Sequence, residues 1–131
     1  MTNAEIVCQF FKEGYERKNY DAVMACVASN YVDHSPAGAR GNAQAVEILR
    51  IVASQLSELT VEMLDVFADG DRVASRVRYA GVHAGVMMGI PATGKRISFE
   101  ALENFRLADG KIVESWGYWP DKEIEEKLRS I

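Results

Sequence analysis

The spacing of apolar residues divides the chain into a helical first half and a strand-rich second half. Up to Ser57, apolar positions recur every three or four residues, as on one face of an amphipathic helix. After Ser57 the interval becomes two, as in strands that bury one face. Because the helices precede the strands instead of alternating with them, the pattern predicts an α+β fold.

Three helices are predicted in the first half. Thr2 and Glu5 have the spacing of a capping box, which begins the first helix. A second, short helix begins near Asp21, and Asn42 is expected to cap the third. Residues 29–42 are predicted to form a loop, because proline and glycine interrupt any regular pattern there.

Four strands and a final helix are predicted in the second half, with Asp-Gly turns typical of hairpins in two of the connections. Pro120 ends the last strand. Asp121 is expected to cap a terminal helix with Ile124, Leu128 and Ile131 on its apolar face. The predicted strands span residues 60–67, 72–83, 97–107 and 112–119.

The second predicted strand alternates most clearly. Arg72, Arg76 and Arg78 share one face, which is therefore either solvated or an interface. We expect a strongly curved, mainly antiparallel sheet to pack on the N-terminal helices as a cone with one internal pocket, the default ligand site. The opposite, inward face carries Val73, Ser75, Val77, Tyr79, Gly81 and His83.

Composition narrows the class of protein. The 131 residues fit one domain, residues 1–131, and 48% hydrophobic with 26% charged residues is typical of a globular protein. A net charge of −4 disfavours a nucleic-acid partner. Cys8 and Cys26 do not form a disulfide framework, and neither a signal peptide nor an apolar run of about 18 residues is visible. We therefore expect a cytoplasmic protein without a membrane partner.

Several short motifs in the second half resemble one family. They are Gly81-Val82-His83-Ala84-Gly85, Gly89-Ile90-Pro91-Ala92-Thr93-Gly94-Lys95, Phe105-Arg106-Leu107-Ala108-Asp109-Gly110-Lys111-Ile112 and Trp119-Pro120-Asp121. Together with the order of the predicted elements, they make the chain resemble the SnoaL-like polyketide cyclases over nearly its whole length.

The resemblance implies a fold and a chemistry. The fold is the cone-shaped α+β barrel shared with scytalone dehydratase and ketosteroid isomerase. The chemistry is an intramolecular aldol ring closure without metal or organic cofactor, performed by an aspartate on the last long strand beside a histidine on the preceding strand. In this chain the aspartate position falls on Gly117 or Tyr118, and the histidine position falls on Glu103. The resemblance also implies a homodimer formed through the arginine-bearing face.

Glu103 is the leading catalytic candidate. It alternates with Phe99, Ala101, Phe105 and Leu107, so its side chain is predicted to point inward. Burial raises the pKa of a carboxyl group, and a carboxyl tuned towards neutrality serves as a general acid or base. The alternative is a glutamate that pairs with an arginine or tyrosine and only supports the fold.

The two histidines are further candidates. His83 ends the inward face of its strand, where it is expected to line the pocket and to orient a substrate carbonyl or relay a proton. Its alternative is a hydrogen bond to the loop between Gly81 and Gly85. His34, in the predicted loop beside Asp33, is a weaker substrate-binding candidate and is otherwise a solvated histidine.

The remaining candidates form the walls of the pocket. Trp116 and Tyr118 offer flat apolar surfaces with a polar handle, and Met87 is suited to a lid. Phe105 and Tyr79 complete a lining for a small apolar or aromatic molecule. The alternative for Trp116 and Tyr118 is ordinary core, and for Met87 it is packing under its loop or a dimer contact.

Two classes of function follow from these candidates. The first is an enzyme that moves protons on a cyclic or carbonyl-bearing molecule without a cofactor, as a cyclase, isomerase or lyase, with Glu103 and His83 as catalytic residues. The second is a ligand-binding or dimerisation module on the same scaffold. No metal site is expected, because metal-ligand motifs such as HExxH and CxxC do not occur.

Overall fold

The structure, a computed structural model that describes residues 1–130, consists of four helices packed on a five-stranded sheet. Ile131, expected on the apolar face of the last helix, lies outside the described residues. The helices are α1 (Asn3–Phe11), α2 (Tyr20–Cys26), α3 (Gly41–Gln55) and α4 (Asp121–Arg129), and a π-helical turn (Lys12–Glu16) follows α1 directly.

The sheet has the strand order β1-β5-β4-β3-β2. Its β2–β3, β3–β4 and β4–β5 pairs are antiparallel, whereas β1 lies parallel to β5. The sheet is therefore mixed but mainly antiparallel, and it is open, with β1 and β2 as its edges. The strands are β1 (Val27–Asp33), β2 (Leu56–Asp69), β3 (Arg72–His83), β4 (Arg96–Ala108) and β5 (Lys111–Tyr118).

The main expectations for the fold are confirmed. The architecture is α+β, and β3 has the predicted bounds, with every residue of its predicted inward face buried. The capping box is also present, since the Thr2 hydroxyl accepts from the Glu5 N–H at 3.1 Å and the Glu5 carboxylate accepts from the Thr2 N–H at 2.9 Å.

Two predicted helix caps are wrong. The third helix begins after Arg40, and Asn42 lies in its first turn, where its amide donates to the carbonyl of Met24 at 3.4 Å. The last helix begins after Pro120, so Asp121 is its first helical residue and not its cap. Asp121 instead adds negative charge to the first turn, where it interacts favourably with the helix dipole.

Part of the predicted loop is a strand. Residues Val27–Asp33 form β1, which pairs with β5 through Val32 opposite Glu114 and Asp33 opposite Ser115. A parallel partner that lies about 80 residues away in sequence leaves no local signal such as a hairpin turn. The strand prediction therefore missed the element that carries Asp33 into the protein.

A β-bulge in β5 changes which side chains of the last strand face inward. Leu107 pairs with Ile112, but the next residue back, Arg106, pairs with Glu114, so Val113 is the extra residue. Beyond this bulge the inward positions are the odd-numbered ones. Ser115 and Gly117 therefore face the same side as their partners Phe105 and Glu103.

Candidate functional site

A cavity of about 270 Å³ lies between α3 and the part of the sheet formed by β1, β5 and β4. This volume is close to the lower end for small-molecule sites, about 300 Å³. The apolar part of its wall includes Phe10, Ala45, Ile48, Leu49, Val52 and Phe105. The polar part includes Tyr15, Tyr31, Asp33, Glu103, Ser115 and Trp119.

The carboxyl group of Glu103 lies in this wall. The alternation of β4 turns Glu103 inward, as predicted, and its partner on β5 is Gly117. A Cβ atom at position 117 would lie 3.0 Å from Oε1 of Glu103, closer than most real Cβ contacts. The glycine therefore provides the space that the carboxyl group occupies. The second carboxyl oxygen, Oε2, accepts a hydrogen bond from the hydroxyl group of Tyr79.

The pKa of Glu103 is raised to about 7, mainly because burial disfavours the charged carboxylate. The negative charge of Asp33 raises this pKa further, whereas the Tyr79 hydroxyl and the Trp119 side chain oppose the shift. Near neutral pH both forms of Glu103 are therefore populated. Among residues 1–130, no Lys or Arg forms a salt bridge with this carboxyl group.

Two buried tyrosines, Tyr79 and Tyr15, pack together next to Glu103. Tyr79 lies behind the cavity wall, and its ring packs 5.2 Å from that of Tyr15 and 4.9 Å from that of Trp119. Burial and the neighbouring Glu103 raise the pKa of both phenols well above the usual value. Both therefore remain protonated at neutral pH, so Tyr79 acts as a hydrogen-bond donor to the carboxylate.

A second polar group comes from β1. Asp33 is buried and lines the cavity, and its Oδ1 accepts from the N–H of Ser35 at 2.8 Å. Tyr31, two residues earlier on the same strand face, lies with its hydroxyl 2.5 Å from Oγ of Ser115. Burial raises the pKa of Tyr31, so this phenol is also neutral. The sequence analysis missed these residues because it predicted a loop there.

Three predicted site residues lie at or behind the cavity wall. Phe105 is buried in it, two residues after Glu103 on the same face of β4. Tyr118 borders the cavity but is 63% exposed, because its side chain shares the outer face with Leu102. Tyr79 contacts Glu103 and does not itself line the cavity.

Trp116 and His34 lie outside the cavity, which corrects their expected positions. The bulge at Val113 turns Trp116 to the outer face, where its ring stacks on that of His34 at 4.9 Å and lies 5.0 Å from the guanidinium of Arg72. Nε2 of His34 is 2.8 Å from the carboxylate of Glu114.

His83 and Met87 also lie away from the cavity. His83 is fully buried at the far end of β3, opposite Leu56, where its Nδ1 accepts from the N–H of Thr93 at 3.2 Å. Met87 is buried in the following loop, where its backbone pairs with that of Ile90. Met87 therefore matches its alternative of packing under the loop, whereas the His83 ring bonds Thr93 and not the segment between Gly81 and Gly85 that its alternative named.

Trp119 is a cavity residue that the sequence analysis did not select. It follows β5 and packs its ring 4.9 Å from those of Tyr79 and Phe99. The sequence analysis assigned Trp116 and Tyr118 to the pocket instead. The two possible positions of the family's aspartate, Gly117 and Tyr118, differ by one residue, which indicates an irregularity in β5 but does not define where it lies.

Neither a membrane span nor a metal cluster was found in the described part of the chain. No helix within residues 1–130 is long and apolar enough to cross a membrane. The same residues contain no group of three or more His, Cys, Asp or Glu side chains arranged to hold a metal ion.

Comparison with known proteins agrees with this architecture. Residues 5–128 match the family model of the SnoaL-like polyketide cyclases. Two curated relatives, the aklanonic acid methyl ester cyclases DnrD of Streptomyces peucetius and DauD of Streptomyces sp. strain C5, are each 31% identical over 116 residues. These alignments cover 83% of this chain, 78% of DnrD and 70% of DauD.

A solved structure shows the same fold. TsrD from Streptomyces laurentii superposes with a TM-score of 0.87 over 97% of this chain and 94% of that protein, at 24% identity. The family model spans nearly the whole chain, and the solved structure has the same fold. The chain therefore belongs to the SnoaL-like polyketide cyclase family.

Proposed function

We propose that the protein is an enzyme that moves protons on a small carbonyl-bearing molecule and closes or rearranges a ring without a cofactor. The observation that carries this proposal is the buried carboxyl of Glu103, which borders the cavity and has a pKa raised to about 7. Membership of a family of cyclases and the cyclase activity named for DnrD and DauD support the same class of reaction.

Glu103 has the properties of a general acid–base group. Its pKa near neutrality makes the proton easy to gain and to lose in the same catalytic cycle. The Tyr79 hydroxyl stabilises the carboxylate when the proton has left. The absence of a Lys or Arg ion pair within residues 1–130 leaves the carboxyl free to change its charge.

The cavity favours a small, largely apolar substrate. Its volume is about 270 Å³, and side chains such as Phe10, Leu49 and Phe105 offer apolar contact area. Several of the polar groups, such as Asp33, Glu103 and Ser115, lie on the sheet side of the wall, where they would orient the carbonyl group of the substrate. Apolar surroundings also strengthen each hydrogen bond made there.

Turnover of aklanonic acid methyl ester, the compound in the relatives' names, tests the proposal. We expect ring closure that Glu103→Gln slows by about 100-fold or more, the usual contribution of general acid–base catalysis. Glu100→Gln, on the exposed face of the same strand, is the matched control and should retain the wild-type rate. Ring closure that is unchanged in Glu103→Gln would contradict the proposal.

A binding module without chemistry is the second candidate, favoured by Gly117 at a position where the resemblance places an acidic residue. The two functions differ in the behaviour of Glu103. A binder does not require this carboxyl to titrate, and Glu103→Gln would then retain full affinity for a ligand. Binding that survives the substitution while no turnover occurs in the wild type would favour this candidate.

We also propose that two copies associate through the outer sheet face. This face pairs opposite charges, since Arg76 bonds Asp65 and Glu100, and it also exposes large apolar side chains. A face with both charge signs can pair with itself around a two-fold axis. The exposed apolar residues on it are Phe67, Leu102 and Tyr118.

A further inference from the structure

The cavity contains a second buried carboxylate, Asp33, which has no assigned role. Asp33 is 8% exposed, and no Lys or Arg within residues 1–130 forms a salt bridge with it. The nearby Arg40 directs its guanidinium to backbone carbonyls instead, including that of Asp33 at 3.1 Å. One of the two carboxylate oxygens accepts from the Ser35 N–H, which fixes the orientation of the group.

The sheet places Asp33 and Glu103 on the two sides of a gap. Asp33 is opposite Ser115 on β5, and Glu103 is opposite Gly117, two residues further along the same strand. From strand spacing and rise, their Cα atoms are about 12 Å apart, before the side chains lean into the cavity. Between them β5 carries only a hydroxymethyl group and a hydrogen atom. The Glu103 carboxyl group lies over Gly117 and Asp33 lies opposite Ser115, so both carboxyl groups border the same cavity and a ligand bound there can contact both.

We propose that Asp33 is the general base of this site and Glu103 its general acid. This inference rests on the proposed function and assigns the direction of its proton transfers. Asp33 is held by a backbone N–H and lies close enough for its negative charge to act on Glu103, as expected for a base beside a protonated acid.

The proton transfers balance as follows. Asp33 takes a proton from the carbon next to the carbonyl, and the C–H electron pair becomes the C=C bond of an enol. The carbonyl oxygen takes the proton of Glu103, and Tyr79 donates to the carboxylate that remains. For ring closure, the enol carbon bonds to a second carbonyl carbon of the same molecule. That second oxygen receives the proton from Asp33, and the enol proton returns to Glu103.

Several charged and titratable groups surround Glu103 and bear on the pH dependence of the reaction. They are Tyr79 on β3, Tyr31 and Asp33 on β1, Tyr15 in the π-helical turn and Asp121 of α4, which borders the same cavity. The pKa values of the three phenols are raised by burial, so these groups do not titrate near neutrality. A change of rate near pH 7 therefore does not come from these phenols.

Deuterium exchange of the C–H beside the carbonyl of α-tetralone tests the assignment. This bicyclic aromatic ketone is small and apolar, and proton NMR follows its exchange in D₂O. We expect the wild-type rate to fall as the pH rises through 7, because the acid form of Glu103 is lost. Asp33→Asn, which preserves the shape of the side chain, should slow exchange by about 100-fold or more. Asp69→Asn, at an exposed position, is the matched control.

The outcomes separate the two proposals. Exchange that is unaffected by Asp33→Asn, or that becomes faster through pH 7, overturns the assignment of Asp33 as base while leaving an active Glu103. A wild-type rate no greater than that of Glu103→Gln at every pH overturns the proposed function, and the assignment with it. Circular dichroism of Asp33→Asn confirms that a lost rate does not reflect a lost fold.

Discussion

At the scale of single residues, the position and the pKa of the Glu103 carboxyl group depend on three features of its surroundings. Gly117 leaves space for Glu103, Tyr79 donates to it, and the apolar wall removes water from it. Water loss has the largest influence on its pKa, and the hydrogen bond from Tyr79 opposes it. Each neighbour therefore has a separate and measurable effect on the same group.

Gly117→Ala should displace the carboxyl group. The new Cβ would lie 3.0 Å from Oε1 and 3.4 Å from Cγ of Glu103. We expect a loss of about 1–2 kcal/mol in the free energy of unfolding, as for other overpacked sites, and a lower rate of tetralone exchange. Glu103→Asp in the same background shortens the clashing side chain, so it should recover part of the stability. If chemical denaturation shows that the two substitutions change the free energy of unfolding additively, the contact between position 117 and Glu103 is contradicted.

Tyr79→Phe should raise the pKa of Glu103 above about 7. The phenol stabilises the carboxylate, so its removal favours the protonated form. The pH at which the exchange rate falls should move to higher values by the same amount. Carbon-13 NMR of the Glu103 carboxyl measures the shift directly, and Tyr20→Phe, outside this cluster, is the control. A pKa that stays the same or falls would contradict the role of the hydroxyl.

At the scale of elements, the phase of each strand decides which residues enter the cavity. The unbroken alternation of β3 and β4 could be predicted from sequence, and it placed Glu103 and Phe105 correctly. The bulge at Val113 could not be located from the sequence. Trp116 and Tyr118 continue the even-numbered positions that begin with Ile112, so the strand resembles an unbroken alternation. Trp116 was therefore assigned to the wrong face.

The outer face of β3–β5 should hold a homodimer. Leu102→Lys places a charge at an exposed apolar position of this face, so we expect the mass in solution to fall from about twice 14.5 kDa to that of one chain. Ile51→Lys, which changes an exposed residue of α3, is the matched control. Equal masses for wild type and Leu102→Lys, measured by light scattering at micromolar concentration, would argue against this interface.

At the scale of the whole molecule, packing joins elements that are distant in sequence. The α+β class followed from periodicity, whereas the second carboxylate, Asp33, depends on the parallel pairing of β1 with β5. Long-range pairing of this kind has no local signature, so Tyr31 and Asp33 were missing from the sequence-based site. The fold was therefore easier to predict than the cavity within it.

The stability of the protein should fall as the pH rises from about 4.5 to about 7. Glu103 binds its proton more tightly in the folded state than in the unfolded state, where its pKa is near 4.5. Its contribution is fully present below pH 4.5 and is lost as the pH passes through the folded pKa, a difference of about 3 kcal/mol. Glu103→Gln should remove this part of the pH dependence in urea denaturation. If the free energy of unfolding changes with pH equally in the wild type and in Glu103→Gln, this contribution of Glu103 is contradicted.

The most direct test of the account is a site-specific titration of the Glu103 carboxyl carbon by carbon-13 NMR in the ligand-free protein. Glu103→Gln identifies the resonance, and Glu100, on the exposed face of the same strand, provides an internal reference. We predict a midpoint near pH 7 for Glu103. A midpoint near 4.5, the ordinary value for a glutamate, would contradict an acid–base group in this cavity.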